Sequence, residues 1–174
     1  MKITDPPRTR EERRRDVLAR LERELDIWVA SADADGVPCL VPLWFLWDGR
    51  CVWLATRATN PTGRNLTDGR RTRLAFADTR DVVLIDGEAT AFTAQDVPAA
   101  AADAFHAKYG WDPREDRAPY SFFRIRPTAV QAWHEQRELP QRHLMRDGTW
   151  LARAPDKSSA TAPPPLNPPY RAPR

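Results

Sequence analysis

The sequence predicts a mainly β domain of the α+β class, in which six or seven short antiparallel strands form a barrel or sandwich with two or three peripheral helices. An Asp-Gly pair at 48–49 separates two apolar runs, which is a strong hairpin signal. Further short apolar runs, bounded by turn residues, follow as far as residue 133. The strand-helix alternation of a doubly wound sheet is missing, and so is its glycine-rich dinucleotide fingerprint.

The chain of 174 residues is long enough for one domain with tails. We predict an arginine-rich N-terminal helix over 1–25, a cofactor-binding domain over 26–153, and a Pro-rich tail over 154–174. The tail has almost no core-forming side chains, so we expect it to be disordered or extended. A net charge of +3 is weak evidence for a polyanionic partner, so no nucleic-acid partner is expected.

The cysteines and the hydropathy pattern indicate the cellular compartment of the protein. Cys39 and Cys51 lie too far apart along the predicted hairpin for a disulfide, which indicates free thiols in a reducing compartment. No apolar run is long enough to span a membrane, and no secretory signal is present. We therefore expect a cytoplasmic protein with no membrane partner.

The first helix is predicted over residues 9–25. Thr9 and Glu12 fit a capping box. One apolar stripe recurs at helical spacing: Val17, Leu18, Leu21 and Leu25. Arginines crowd the remaining surface, either as a nucleic-acid surface or as a solvated face with ion pairs to nearby glutamates. The interleaved acids favour the solvated face.

The central hairpin follows a first strand at 26–33 and consists of strands at 38–47 and 50–57. With Asp48 and Gly49 as its two turn residues, Trp47 would lie opposite Arg50. Trp44 and Trp53 would then share the face directed away from the core. Such a face needs a cover, either a ligand or second subunit, or another element of the same subunit.

Pro42 lies in the first strand of this hairpin. A proline cannot donate to the ladder, so the strand is expected to be edge-like or bulged there. Backbone groups near it would then be free to bond a ligand.

The remaining chain predicts further strands and one more helix. Strands are expected at 73–77 and 81–92, with Gly87 marking a bulge or a close backbone approach. A helix over 95–109 would stop at Gly110. A long strand over 120–133 is expected to be interrupted at Pro127, and residues 134–151 turn at Gly148.

No protein-based catalyst is evident in the sequence. The GxSxG pattern of a serine nucleophile is absent, no metal-ligand spacing appears, and the three histidines are scattered. If the protein is an enzyme, a cofactor supplies the reactivity.

A polar bend over residues 57–65 follows the hairpin and is the strongest candidate for anion binding. Arginines such as Arg57 and Arg64 suit phosphate, and a helix start at Thr62 would direct backbone N–H groups toward an anion. The alternative is that Thr62 or Asn60 only caps the helix while the arginines face solvent. Placed after tryptophan-bearing strands, the bend favours a flat, phosphorylated ligand.

The segment from residue 26 to 92 resembles the pyridoxamine 5'-phosphate oxidase-like split β-barrel family, and more closely its flavin/deazaflavin oxidoreductase branch. The likeness rests on an aliphatic first strand, an Asp35-Gly36-Val37-Pro38 turn, a Pro42-Leu43-Trp44-Phe45 strand and a helix with Asn65-Leu66. Residues 122–151 are similar to the C-terminal strands of that branch. The resemblance covers about residues 25–151.

This resemblance implies a split β-barrel homodimer with cofactor sites at the subunit interface. It implies an oxidoreductase that carries out hydride transfer on a small organic substrate with FMN as its cofactor. The phosphate would be held at the polar bend, the ring would lie along the backbone of 42–45, and the partner subunit would cover it from its C-terminal strands. The cofactor-binding residues expected on this basis are Pro42, Leu43, Trp44, Phe45, Thr56, Arg57, Thr59, Thr62, Arg64, Asn65, Trp133 and Trp150.

Two alternatives stay open within this fold. The protein could be a reductase dependent on the deazaflavin coenzyme F-420, whose polyanionic tail would suit the arginines at 70, 71 and 73. It could instead be a non-catalytic flavin-binding protein. His134 and Tyr120 are the candidate proton donors, and pyridoxal phosphate synthesis is not expected because the substrate-phosphate residues of the true oxidases are not found.

Overall fold

Eight antiparallel strands form one continuous sheet, and the first six of them close into a barrel. The computed structural model describes residues 6–68 and 71–152. The strands are β1 Asp26–Ala32, β2 Pro38–Trp47, β3 Val52–Arg57, β4 Arg71–Ala75, β5 Asp81–Phe92, β6 Tyr120–His134, β7 His143–Arg146 and β8 Thr149–Trp150. The helices are α1 Arg10–Arg23, α2 Pro61–Asp68, α3 Ala99–Tyr109 and α4 Glu135–Glu138, with 3₁₀ turns at Pro113–Glu115 and Leu139–Gln141.

The strand order is β3-β2-β1-β4-β5-β6, and pairing of β3 with β6 closes the barrel. β7 and β8 continue the sheet beyond β6. Alternate side chains of these strands fill the barrel, and the following are at most 1% exposed: Val29, Phe45, Leu54, Ile85 and Phe123. The predicted fold class, a mainly β split barrel with peripheral helices, is confirmed.

The β2–β3 hairpin has a longer loop than predicted. Trp47 pairs with Val52, not with Arg50, so the predicted register was wrong by two residues. The reason is Asp48, whose carboxylate accepts the backbone N–H groups of Arg50 at 2.8 Å and Cys51 at 2.6 Å, which builds a loop of residues 48–51. A shift of two residues keeps every side chain on its face, so the predicted faces still hold.

The barrel is split between β2 and β3. β2 pairs with β1 from Pro38 to Trp44, whereas its register with β3 covers only the pairs from Phe45 to Trp47. β3 pairs with β6 over its whole length instead. The expectation that Pro42 lies in an edge-like part of the strand therefore agrees with the structure.

α1 carries the predicted capping box between Thr9 and Glu12, and it packs Val17 and Leu21 into the barrel core. The predicted stripe is one residue shorter, because Leu25 lies beyond the helix and is 53% exposed. The acidic first turn and basic last turn of the helix complement its dipole.

The arginines of α1 do not all lie in solvent, which corrects the prediction of a solvated arginine face. Arg13 is 1% exposed and donates to the carbonyl oxygens of Ala132 at 3.1 Å and Glu138 at 3.4 Å. Arg20 is 9% exposed and donates to the carbonyl oxygen of Asp81 at 2.9 Å. Long guanidinium side chains can reach strand ends in this way while their stems cover apolar surface.

Three other elements differ slightly from expectation. β4 begins at Arg71 and not at 73, and α3 begins at Ala99 because residues 93–98 form a turn in which the Thr93 carbonyl accepts the N–H of Val97 at 3.1 Å. β6 runs through Pro127 without a break. Its pairing with β5 shifts beside this proline, because Asp86 lies opposite Ala129 and Gly87 opposite Pro127, which leaves Thr128 of β6 as the extra residue. A Cβ on Gly87 would lie 2.6 Å from Ile125.

Cys39 and Cys51 are free thiols, as predicted. None of the helices within 6–68 and 71–152 has the length and apolar character needed to cross a membrane. The tail predicted over 154–174 lies outside the described residues.

Candidate functional site

A cavity of about 630 Å³ lies at the split between β2 and β3. This volume is in the range of roughly 300–1,000 Å³ that is typical of small-molecule and cofactor sites. Its walls come from β1, β2, the end of β3, α3 and the segment before β6. The lining residues are Asp26, Pro42, Leu43, Trp44, Ala55, Thr56, Asn60, Phe105, Trp111, Asp116 and Tyr120.

The β2 backbone forms one edge of this cavity. Phe45 donates its N–H to the β1 side, to the carbonyl oxygen of Leu25 at 3.3 Å and the hydroxyl of Tyr109 at 3.0 Å. Backbone groups alternate in direction along a strand, so those of Trp44 face the split. Residues 38–44 have no ladder partner on the β3 side, and this edge is therefore open to a ligand.

α3 covers part of the tryptophan face from within the same subunit. Tyr109 stacks on Trp44 with ring centroids 4.6 Å apart and an interplanar angle of 3°, and Trp111 meets Trp44 edge-on at 6.0 Å. Trp53 is only 4% exposed and packs with Phe105 beneath α3. Of the two predicted covers, the same-subunit one applies fully to Trp53, whereas Trp44 stays 44% exposed.

Two residues at the end of α3 fasten this helix to β2. Lys108 donates through Nζ to the carbonyl oxygens of Glu24 at 2.8 Å and Phe45 at 2.9 Å. The Tyr109 hydroxyl accepts the Phe45 N–H and lies within hydrogen-bonding distance of the Phe45 and Leu25 carbonyl oxygens, to either of which it can donate its single proton. Burial raises the pKa of Tyr109 to about 12, although a bond to Phe45 opposes it, and burial lowers the pKa of Lys108. Tyr109 is thus a protonated structural phenol at physiological pH.

Three predicted phosphate residues, Arg57, Thr59 and Arg64, lie on the surface, and they are not among the residues that line the split cavity. Arg57 ends β3, is exposed, and holds its guanidinium 6.0 Å from the ring centroid of Tyr120. It forms no ion pair with the other described residues. Arg64 and Thr59 are also exposed, and the Arg64 guanidinium donates to the Thr59 carbonyl.

Thr62 and Asn65 are turned inward. Thr62 is 2% exposed, with its Oγ1 3.4 Å from the Sγ of Cys39, and Asn65 is 7% exposed and donates through Nδ2 to Ser31 at 3.2 Å. These side chains fix α2 against β1 and β2. Between them, a Cβ on Gly63 would lie 2.4 Å from the Arg57 carbonyl, so the glycine lets the helix start rest directly on the bend.

The structure brings together only part of the predicted site. Pro42, Leu43, Trp44 and Thr56 line one cavity, and Arg57 follows Thr56 in the chain. The side chain of Phe45 is fully buried in the barrel core, so only its backbone is near the cavity.

The two C-terminal tryptophans lie elsewhere in the subunit. Trp133 lies on β6, where it pairs with Val82 of β5. Trp150 lies on β8 under the Arg14 guanidinium at 4.7 Å and lines a different cavity. Their expected role toward a partner subunit's site stays a prediction.

Of the two candidate proton donors, Tyr120 lines the cavity, whereas His134 lies at the opposite end of β6. Trp111 and Asp116 were missed as site residues. Both fall in the charged loop after Gly110, where Asp116 accepts the Trp111 Nε1–H at 3.3 Å. An aromatic residue directly after a helix stop was the available signal, but its direction depends on how α3 packs.

A second cavity, about 830 Å³, is lined by residues of β1, β4, β5 and β6. Its charged side chains are largely paired with one another. Arg73 bonds Asp86 at 2.6 Å and Arg126 bonds Glu88 at 2.5 Å. It lacks the aromatic wall and open backbone edge of the smaller cavity.

Within 6–68 and 71–152 there is no group of three or more His, Cys, Asp or Glu side chains suited to a metal ion. None of the described residues lining the split cavity is a histidine, cysteine or methionine.

The fold is similar to several solved structures. An F420 reductase is 23% identical with a TM-score of 0.52, and the match covers 64% of this chain and 93% of that one. HutZ, the heme storage protein from Vibrio cholerae, is 12% identical with a TM-score of 0.57, covering 68% and 93%. The protein Rv2991 from Mycobacterium tuberculosis is 18% identical with a TM-score of 0.57, covering 71% and 85%.

The sequence comparison is more specific. No curated protein sequence matches the chain. Residues 15–134, however, match the family described as pyridoxamine 5'-phosphate oxidase, and this match spans β1 to β6 together with the split cavity. The chain therefore belongs to the pyridoxamine 5'-phosphate oxidase family.

Proposed function

We propose that the protein is an FMN-dependent oxidoreductase that acts by hydride transfer on a small organic substrate. The observation that carries the proposal is the split cavity itself. An open backbone edge at 42–44 faces Thr56 there, and two exposed arginines follow on the polar bend. FMN needs both kinds of group, the open backbone edge for its flat ring and the arginines for its phosphate.

The described residues fit FMN in size and chemistry. The cavity of about 630 Å³ has room for a ring system, and its edge is a strand without a ladder partner on one side. Arg57 and Arg64 would hold the phosphate, since one guanidinium group can donate two parallel hydrogen bonds to phosphate oxygens. Thr59 would add a hydroxyl, while Thr62 and Asn65 support the bend from inside α2.

The cofactor would supply the hydride chemistry, and the protein supplies position and proton control. Thr56 is held by Asn60, whose Nδ2 donates to its Oγ1 at 3.2 Å, so its hydroxyl has a fixed direction at the cavity wall. Tyr120 is the proton donor of this chain that we assign to the cavity. The ring of Tyr120 packs edge-on against Trp111 at 4.9 Å, which fixes its orientation.

FMN is favoured over coenzyme F-420 because one of the arginines that a polyanionic tail would need is already paired with an acid. Arg73 is neutralised by Asp86 through two bonds at 2.6 and 3.1 Å. Arg71 is exposed and available, and Arg70 lies outside the described residues. The F420 reductase among the structural neighbours keeps the deazaflavin as the second candidate, which a titration with each cofactor separates.

A non-catalytic flavin-binding protein is the remaining alternative. One structural neighbour is described as a heme storage protein, which keeps a storage role without turnover as a candidate. The described lining of the split cavity lacks the His, Cys or Met side chains that usually hold haem iron, which favours a flavin there. Reduction of the bound flavin by a nicotinamide, followed by reoxidation by a substrate, would distinguish an enzyme from a carrier.

We further propose a cytoplasmic homodimer, and members of this family are typically dimers. The outer face of β1 and β2 exposes large apolar side chains, with Trp28 at 38%, Leu40 at 61% and Trp44 at 44%. Register places them together, since Trp28 lies opposite Pro42 and Ala30 opposite Leu40. A second copy packed on the part of this face around Trp28 and Leu40 could bring Trp133 or Trp150 to the cofactor.

The experiment is an absorbance titration of the purified protein with FMN. We expect Arg57→Ala and Arg64→Ala each to weaken FMN binding at least about tenfold, because each removes a charged phosphate contact. Arg50→Ala is the matched control, since Arg50 is an exposed arginine just before the start of β3, whereas Arg57 lies at its end. Unchanged affinity in both bend variants would remove the phosphate assignment.

A further inference from the structure

We propose that the aromatic corner of the split cavity binds an organic ammonium ion, so that the substrate is an amine or quaternary ammonium compound without a phosphate. The aromatic corner consists of Trp44, Tyr109, Trp111 and Asp26. The inference rests on the proposed function in one respect, because it names the substrate class of the same cavity.

The first argument is the geometry of the rings. Tyr109 lies flat against one face of Trp44 at 4.6 Å, and Trp111 stands at 72° to it. Trp44 is nevertheless 44% exposed, and no other ring of the described residues contacts it. Two indoles at a steep angle, one with an exposed surface, form the kind of partial cage that holds ammonium groups through their π-faces.

The second argument is an uncompensated negative charge. Asp26 lies directly opposite Trp44 in the β1–β2 register and lines the same cavity. Its carboxylate makes no ion pair or hydrogen bond with another described residue, although it is close enough to Tyr109 to raise the pKa of that phenol. It is therefore available to a cationic ligand.

The third argument is the sign of the remaining lining. Asp116 is the second charged side chain in the cavity wall, and no described lysine, arginine or histidine lines it. Lys108 donates to the carbonyl oxygens of Glu24 and Phe45, so it does not serve as a basic group of the cavity lining. Arg57 lies outside the lining, over the Tyr120 ring, and is assigned to the cofactor phosphate. A carboxylated or phosphorylated substrate would meet two acids here without a basic partner.

The test is a calorimetric titration of the full chain with phenyltrimethylammonium, compared with benzoate as the anion and tert-butylbenzene as the uncharged analogue. We expect the cation to bind at least about fivefold more tightly than either. Asp26→Asn should weaken cation binding at least about threefold, and Trp44→Leu at least about tenfold. The matched controls Asp35→Asn, an exposed turn acid, and Trp28→Phe, on the same outer face, should leave it unchanged.

Benzoate binding as tightly as the cation, or an unchanged affinity in Asp26→Asn, would overturn the inference. Thermal unfolding of each variant confirms that it is folded. Titration of the same preparation with FMN separates the two claims. If FMN fails to bind while the cation shows its charge preference, the proposed function fails alone. If FMN binds but the cation does not, this inference fails alone.

Discussion

Glu138 is a buried carboxylate whose importance comes from contacts distant in sequence. It is 3% exposed and accepts the Arg8 backbone N–H at 2.8 Å, the Arg8 guanidinium at 2.9 Å and the His134 N–H at 2.6 Å. Burial acts to raise its pKa, but these bonds prevail and hold the pKa below its usual value. Nothing in the local sequence reveals this, because Arg8 lies 130 positions away.

We predict that Glu138→Gln lowers the free energy of unfolding by about 3 kcal/mol at pH 7, as expected when one partner of a buried ion pair is removed. The folded pKa is depressed, so this stabilisation is present above the unfolded carboxyl pKa of about 4.3 and is lost as pH falls through the folded value. Urea unfolding from pH 7 to pH 3 should therefore show the two proteins converging in acid. Glu11→Gln, an exposed control in the first turn of α1, should lower stability by no more than about 1 kcal/mol, the usual surface contribution of a charge to the helix dipole. A constant difference at all pH values would contradict the assignment.

Among the helices and strands, the features that depend on neighbouring residues in the sequence were predicted correctly. The Thr9 capping box, the helix stop at Gly110 and the irregularity at Gly87 all appear where the sequence indicates them. The hairpin register failed because Asp48 forms side-chain bonds that lengthen the loop. The burial of Arg13 was missed because its partners lie at the far ends of β6 and α4.

The candidate site also combines features that the local sequence predicts with features that depend on how distant elements pack. The open β2 edge and the exposed arginines follow from Pro42 and from the composition of the polar bend. The inward direction of Thr62 and Asn65 depends on how α2 docks on β1 and β2, which no local pattern specifies. Tyr109 and Trp111 reach Trp44 only because α3 folds back across β2.

The junction between α2 and the polar bend gives a prediction for Gly63→Ala. The new Cβ would lie 2.4 Å from the Arg57 carbonyl and 3.1 Å from the Ala58 carbonyl, both backbone atoms, so the helix and bend must separate. We expect a loss of about 1–3 kcal/mol in urea unfolding, as for other overpacked sites, and weaker FMN binding.

Gly36→Ala is the matched control for this change. Gly36 has φ 81°, and a Cβ added there would have no neighbouring atom within 4 Å, so only the left-handed backbone resists the substitution. A cost of about 1 kcal/mol and unchanged FMN affinity are expected for it. Equal effects of the two substitutions on FMN affinity would argue against the close junction.

For the whole molecule, the exposed apolar face of β1 and β2 predicts association. Leu40→Glu places a charge at the centre of this face, where Leu40 is 61% exposed in one subunit. We expect the native protein to sediment at about twice the chain mass of 19.9 kDa and the variant to sediment as a folded monomer.

Leu139→Glu is the control for this experiment, since Leu139 is 39% exposed but lies in the 3₁₀ turn after α4, away from that face. It should leave the dimer intact. If the native protein sediments as a monomer, a second subunit does not contribute to the cofactor site.

The most direct measurement of the central claim is hydrogen–deuterium exchange of the full chain with and without saturating FMN. The Trp44 amide on the open β2 edge and the amides of the polar bend at 57–65 should become protected, because the ring and phosphate are proposed to bond there. Exchange that is unchanged at both places, or protection confined to the second cavity around Arg71 and Arg73, would contradict the assignment of the split between β2 and β3 as the cofactor site.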